Sequence, residues 1–308
     1  RGFVLTRDAS LRVCSYCAAP RSPERIVYQE EVGDTFLVRF GLPDAEGTVH
    51  ALAWVDAPWR LLGATALLLH PTLPYVVARY RRKGVDERIL TSRSSLARLA
   101  AWLPGAEIEV LEEGPGARWA GRPYDYPLRS EFPMGADLVA PAGTIQTVPD
   151  VGDSGTGIVP LVPGHGGTDA QIAERLGISG WPLVTARGQL ATTLMHKYAG
   201  LDLATASEFV LRDLGDGGAM FARLRVRRGV PHCAICGTAL VWAPGRAWCL
   251  EPTRLPPEWA AAYRRLLPTN RPSPSSRSPP GRSPSRRSTP PGPGVVTLLE
   301  SPRLRAVG

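Results

Sequence analysis

The sequence predicts a mixed α/β chain, rich in strands with a few inserted helices, that stands on a small metal-ribbon base and ends in a disordered tail. Three observations predict it. Residues 25–140 are dominated by short alternating or β-branched runs bounded by Gly, Pro and Asp. Two CxxC pairs, Cys14–Cys17 and Cys233–Cys236, sit near opposite ends of the strand-rich part. From Thr269 to Gly294 the chain reads TNRPSPSSRSPPGRSPSRRSTPPGPG, almost without apolar residues.

Composition narrows the classes. The 308 residues are 44% hydrophobic and 21% charged, enough apolar content for a packed core, so a wholly disordered chain is excluded. The 32 Gly and 31 Pro fit many turns plus a low-complexity segment. The net charge of +8 is unevenly placed: residues 269–308 carry seven Arg against the single acid Glu300, a net +6, leaving about +2 for the rest. The folded part is therefore not a strongly basic nucleic-acid binder by composition. No apolar run is long enough to span a membrane, since Ala51 to His70 is interrupted by Asp56 and Arg60. The opening RGFVLTRDAS has no signal-peptide core and does not begin with Met, which reads as a processed or truncated piece. An odd count of five cysteines without a leader fits a reducing, cytoplasmic setting.

Strands are expected at RIVYQEEV, DTFLVRFGL, TVHALAWV, PYVVARYR and EIEVLEE. A helix is expected over Ser92–Leu103, with Ser94 as cap and Leu96, Leu99, Ala100 and Leu103 on one face. Others are expected at Asp169–Leu176, at Ala204–Leu214, where Ala206, Phe209, Val210 and Leu214 recur at helical spacing, and at Glu258–Leu267. The tail cannot bury enough surface to offset its ordering entropy and reads as disordered, or as a phosphorylatable or RNA-touching arm.

Two cysteines three apart on a tight turn aim both sulfurs at one ion, and two such knuckles complete a tetrahedral thiolate site for zinc. Cys14, Cys17, Cys233 and Cys236 are the expected ligands, and Gly237 permits the turn after the second knuckle. The alternatives are unligated thiols or a redox CxxC. His232 is a further ligand candidate, and Cys249 reads as a core thiol. The ion would clamp a base of residues 8–24 and 228–250. A large lobe of residues 25–227 lies between them, a short helical extension spans 251–268, and the tail spans 269–308.

The second constellation is GTGIVPLVPGHGGTD, from Gly155 to Asp169. Two glycine turns flank an apolar strand and present His165 and Asp169 as a helix begins. Asp169 reads as a helix N-cap. It also reads as a carboxylate facing a pocket floored by bare backbone, suited to a small ammonium group. No GK[ST] follows, so this is not a phosphate-binding Walker loop.

This segment resembles the GTGIVH-x-x-P-x-HG-x-x-D signature of the editing domain in class I aminoacyl-tRNA synthetases of the isoleucyl, valyl and leucyl group. Trp54–Leu61, HPTLPYVVARY, RPYDYPL and PHCAICGTALVWAPGRAWCL resemble four further segments of that domain, in the same order. The paired cysteines single out the isoleucyl enzymes, which carry a zinc between one CxxC before and one after the editing domain. The resemblance spans roughly residues 10–255. It implies a β-rich editing-type barrel on a zinc-ribbon base, and hydrolysis of a mischarged aminoacyl-tRNA such as Val-tRNA at the tRNA acceptor end. Asp169 would pair with the α-ammonium and His165 would line the pocket. Gly155, Thr156 and Gly157 would let the terminal adenosine approach, and Trp54, Asp56, Pro58 and Trp59 would form the facing strand.

The family's threonine run is Val55-Asp56-Ala57 here, the histidine after GTGIV is Pro160, and the acidic pair before the aspartate is Gly167-Thr168. These departures leave open a module that binds tRNA or a synthetase without hydrolysis. The HIGH and KMSKS signatures do not appear, so ATP-dependent amino-acid activation is not expected of this chain, and the rest of a synthetase is a candidate partner. His50, His70 and His196 read as surface or packing residues, and Trp54, Trp59, Trp102 and Trp119 as core anchors. Arg79–Lys83 and Arg223–Arg228 read as solvated strand edges or as phosphate contacts.

Overall fold

The computed structural model describes residues 4–132, 141–181, 183–185, 187–194, 197–250, 256–259 and 296–298. The chain is β-rich, as expected. Its first strands are β1 (Val4–Cys14), β2 (Ala19–Pro20), β3 (Ile26–Asp44), β4 (Gly47–Val55), β5 (Ala66–Leu69), β6 (Pro74–Arg82) and β7 (Val85–Ser92). Helix α1 (Ser95–Trp102), β8 (Glu107–Pro115), β9 (Ile145–Thr147), β10 (Val159–Leu161), α2 (Gly167–Leu176) and α3 (Leu203–Asp216) follow. Strands β11 (Met220–Cys233), β12 (Leu240–Leu250) and β13 (Val296–Leu298) complete the set.

The body is a six-stranded sheet in the order β11-β3-β4-β7-β6-β8, with a parallel β4/β7 pair among antiparallel neighbours. A three-stranded sheet, β10-β5-β9, packs beside it. The two are stitched by the Trp54 amide donating to the Ile158 carbonyl at 2.9 Å. The runs RIVYQEEV and DTFLVRFGL are one strand, β3, because Gly33 and Asp34 pair across to Val226 and Arg225 instead of turning. Its alternation decides which face each residue buries. Phe36, Val38, Phe40 and Leu42 enter the main core, whereas Leu37 joins Leu52, Ala78, Tyr80, Ile89 and Leu99 under α1.

Strand β7 was not expected. Its first half runs from exposed Val85 and Asp86 to the partly buried charged pair Glu87 and Arg88, and only Ile89 to Ser92 are buried. The chain therefore stays extended through Ser92, and α1 starts at Ser95. Ser94 does not cap that helix through its side chain; its hydroxyl turns to Asp153, and Ser95 Oγ bonds the Ser92 carbonyl at 2.7 Å. Helix α3 begins with a side-chain cap, Asp202 accepting from the amides of Ala204 and Thr205 at 3.1 and 3.0 Å. Ala206, Val210 and Leu214 bury its inner stripe.

The base is a third sheet, β13-β12-β1-β2. Strands β1 and β12 pair along their whole length, from Val4↔Leu250 to Cys14↔Leu240. Leu11, Val13, Ala243 and Ala247 of this sheet share the main core with Trp59, Leu61 and Leu62, so base and body are one packed unit. Of the expected helix Glu258–Leu267, only residues 258–259 are described. The tail lies outside the described residues except Val296–Leu298, which pairs antiparallel with β12. No helix among the described residues is long and apolar enough to cross a membrane.

Candidate functional site

The four expected ligands meet. The Sγ atoms of Cys14, Cys17, Cys233 and Cys236 all lie within 4.8 Å of one another. Cys14 closes β1 and Cys233 closes β11, so strand pairing brings together knuckles that are distant in sequence. Cys236 Sγ lies 3.4 Å from Cys14 Sγ and 3.6 Å from Cys17 Sγ. A tetrahedral zinc–thiolate centre, with bonds of about 2.3 Å, sets its sulfurs about 3.8 Å apart. The cluster fits such an ion and could hold a metal.

Within it, the Cys17 amide points at Cys14 Sγ at 3.4 Å and Arg21 Nε donates to Cys233 Sγ at 3.0 Å. Burial pushes the Cys17 thiol up, to about 12, with bonds to Cys236 and Cys14 adding to it. Burial also raises Cys233, but Arg21 and the backbone amides of Ile235 and Cys236 outweigh it and bring that thiol down to about 6. The bare cluster thus shares its protons unequally, and a metal would displace those that remain. His232 does not join this set; its Nε2 lies 3.0 Å from Glu31 Oε1.

The second site is built from two loops. The short 3₁₀ helix Pro58–Gly63 buries Pro58 and Trp59. The turn Pro163–Gly166 leads into α2. The indole of Trp59 meets the His165 ring edge to face, with centroids 5.1 Å apart at 80°. Asp169 is not the helix cap. Gly166 occupies that position in extended backbone, and Asp169 sits in the first turn of α2, where the helix dipole favours a carboxylate. Its Oδ2 accepts from Arg60 Nη2 at 2.7 Å. The carboxylate read from sequence as a seat for an ammonium group therefore carries a cation of its own chain.

His165 is only 2% exposed, and neither ring nitrogen reaches a hydrogen-bond partner in good geometry. Burial first, and the Arg60 guanidinium second, hold its pKa well below the ordinary 6.5, at about 3, with only the Trp242 backbone pulling the other way. The imidazole is neutral throughout the physiological range. Because the unfolded chain binds this proton and the folded chain does not, His165 lets stability rise with pH between about 3 and 6.5 and adds nothing further above that. Replacing His165 with Gln should flatten the acid limb of urea-unfolding stability by about 1.4 kcal/mol per pH unit in that window. An unchanged limb would remove His165 from the acid sensitivity.

The Gly155–Gly157 turn forms a separate cluster. Gly155 and Gly157 have positive φ, 61° and 72°. A Cβ on Gly155 would lie 2.5 Å from the Trp54 ring, and one on Gly157 would lie 2.7 Å from Ser92 Cβ. The turn's carbonyls are taken by the protein itself. Arg98 donates to Gly155, the Ser92 amide to Thr156, and Tyr75 Oη to Gly157 at 2.6 Å. Trp54 packs on Trp102 at 5.5 Å. Asp56 is held elsewhere, accepting from Thr35 Oγ1 at 3.1 Å, with Arg228 donating to its carbonyl at 3.1 Å.

Sequence reasoning singled out Asp169, His165 and Trp59, which the structure brings together, but missed Arg60, whose partner lies far along the chain. Of the basic runs, Arg79 makes a two-point pair with Asp86 across the β6/β7 hairpin, and Arg81 faces Asp86, Glu107 and Glu109 within 3.9 Å. An open depression of about 310 Å³ lies at that hairpin, away from Asp169. Arg223, Arg227 and Arg228 face Asp34, Glu30 and Asp56. His50 lies 3.8 Å from Glu87, and His70 Nδ1 accepts from the Thr72 and Leu73 amides at 3.2 Å. His196 and the side chain of Cys249 lie outside the described residues.

No family model matches the chain. Known sequences do. It is 25% identical over 258 residues to an isoleucine–tRNA ligase of Haloquadratum walsbyi, covering 84% of this chain and 24% of the relative. It is 26% identical to that of Pyrobaculum aerophilum, covering 85% of this chain and 27% of the relative. It is 28% identical to that of Thermus thermophilus, covering 82% and 23%. Among solved structures, a chain described as GlLeuRS-CP1 is similar at a TM-score of 0.46 and 14% identity, covering 62% of this chain and 98% of that one. The editing domain of P. knowlesi cytosolic leucyl-tRNA synthetase is similar at 0.45 and 12%, covering 64% and 97%. The homologues of this chain are isoleucine–tRNA ligases, and it spans about a quarter of the length of those it matches.

Proposed function

We propose that the chain is the editing-type module of an isoleucyl-tRNA-synthetase-like protein. It would act in the cytoplasm on the acceptor end of tRNA and hydrolyse mischarged aminoacyl esters such as Val-tRNA. The observation that carries this reading is the carboxylate of Asp169, set in the first turn of α2 beside the Pro58–Gly63 segment whose sequence resembles the substrate-facing strand. In this reading Asp169 holds the α-ammonium of the misattached amino acid and so fixes the ester carbonyl for a water molecule. Water adds to the carbonyl carbon, the bond to the ribose oxygen breaks, and that oxygen takes up a proton, giving free amino acid and free tRNA. The neutral, buried imidazole of His165 shapes the wall and moves no proton. The resemblance puts the glycine turn Gly155–Gly157 and the residues Trp54, Asp56 and Pro58 along the approach, although the turn's carbonyls and Asp56 are bonded within the chain. Residues 8–24 and 228–250 form the base, in which the four cysteines hold zinc, and residues 25–227 form the lobe.

One observation favours a second reading, a tRNA- or synthetase-binding module without hydrolysis. Asp169 is bonded to Arg60, and Asp56 stands where the resembled family has a hydroxyl. Deacylation of Val-tRNA separates the two. Ester loss well above the uncatalysed rate, falling about 100-fold or more in Asp169→Ala, carries hydrolysis. Binding of tRNA with no turnover by either chain carries the second reading.

A further inference from the structure

Resting on the second reading, in which the site binds the tRNA acceptor end without hydrolysis, we propose that Arg60 is the specificity-determining residue of this site: its guanidinium occupies the cation position on Asp169, so the folded chain does not select for a free α-ammonium. Three features fix that guanidinium in place. Arg60 lies on the Pro58–Gly63 turn, whose backbone is anchored by buried Pro58, Trp59, Leu61 and Leu62. Its Nη2 meets Asp169 Oδ2 at 2.7 Å, with the two side chains 33% and 22% exposed, so the pair is shielded more than a surface ion pair. Trp59, its neighbour, is locked edge to face on His165, the residue just before the α2 cap Gly166 and four before Asp169, so both partners are held from behind.

An incoming ammonium meets a carboxylate already compensated by charge. It must either displace the guanidinium and lose a charge-assisted hydrogen bond, or bind beside a like charge. His165 offers no anion in compensation, being neutral and sealed from solvent. A ligand whose amine is acylated suffers neither penalty. The site as folded therefore gives the amine no advantage over the amide, and a side chain that vacates the position restores selection for the amine.

The test uses two hydrolysis-resistant probes, valine joined through an amide to 3′-amino-3′-deoxyadenosine with its α-amine either free or acetylated. Binding is measured by calorimetry to the full chain, to Arg60→Thr, to Arg60→Met, which keeps the apolar stem, and to the double variant Arg60→Thr/Asp169→Asn. The unsubstituted chain should bind the free-amine probe no more tightly than the acetylated one. Arg60→Thr and Arg60→Met should favour the free amine by tenfold or more, and the double variant should lose that preference. Equal binding of the two probes by both single variants, or a tenfold preference for the free amine already present with Arg60 in place, overturns the assignment of Arg60 while leaving the acceptor-end reading standing. Failure of every chain to bind either probe overturns both.

Discussion

Converting Cys14 or Cys233 to Ser should empty the cysteine cluster of metal and lower stability by on the order of 5 kcal/mol, far more than a surface substitution. Both thiols are buried, and each terminates a strand: Cys14 the strand that pairs with β12, and Cys233 the strand that pairs with β3. Among the described residues only Leu240 and Ile26 pack as apolar partners on the cluster, so beyond the strand ladders that bring the knuckles together an ion would be their principal cross-link. Atomic emission on the purified chain should give one zinc per molecule, and thermal melts with and without chelator should differ by many degrees. A chain that melts at the same temperature after chelation, or carries no metal when expressed in zinc-supplemented medium, would reduce the cluster to four packed thiols.

The second large effect is expected at Gly155. Alanine there is opposed twice, by a backbone at φ 61° and by the Trp54 ring, whose nearest carbon would stand 2.5 Å from the new methyl. The left-handed conformation alone costs a non-glycine residue about 1 kcal/mol, and forcing a large indole aside in a packed setting adds about 1–3 kcal/mol. Gly155→Ala should therefore destabilise the chain by about 3 kcal/mol and shift Trp54 off Trp102, visible as a change in the near-ultraviolet circular dichroism of the tryptophans. Gly152→Ala, where an added methyl meets nothing within 4 Å, is the matched control and should be nearly silent. If the two variants melt together, the turn is looser than its contacts indicate.

These glycines show where a linear reading succeeds and where it stops. The CxxC pairs were legible because a knuckle is a local device whose spacing states its purpose, and only the partner knuckle had to be supplied by the fold. Helix α3 was legible from apolar spacing, and α2 from the glycine turn that precedes it. Strand β7 was not, because its buried face is confined to Ile89–Ser92 while Asp86, Glu87 and Arg88 are spent on pairs with Arg79, Arg39 and Asp44. For the glycine turn, the sequence signalled a close approach to backbone. The Cβ positions that would clash are occupied by Trp54 and Ser92 of the same chain. Asp169 was legible as a carboxylate beside a helix start, but not as one partner of an ion pair. Arg60 lies in a separate apolar segment, and no periodicity connects it to α2. Long-range charge pairing leaves no local trace in sequence, whereas caps, turns and metal knuckles do.

The ladder between β1 and β12 has a mechanical consequence. Val4 lies opposite Leu250, and the last pair of the same ladder lies at Cys14, opposite Leu240. Tension drawn between positions 4 and 250 would open the rungs one at a time, like a zip, instead of shearing them together. The opening would run toward the four sulfurs, where a bound ion would act as the stop. In a pulling trace this should appear as a soft initial extension ended by a stiff event that vanishes with chelator.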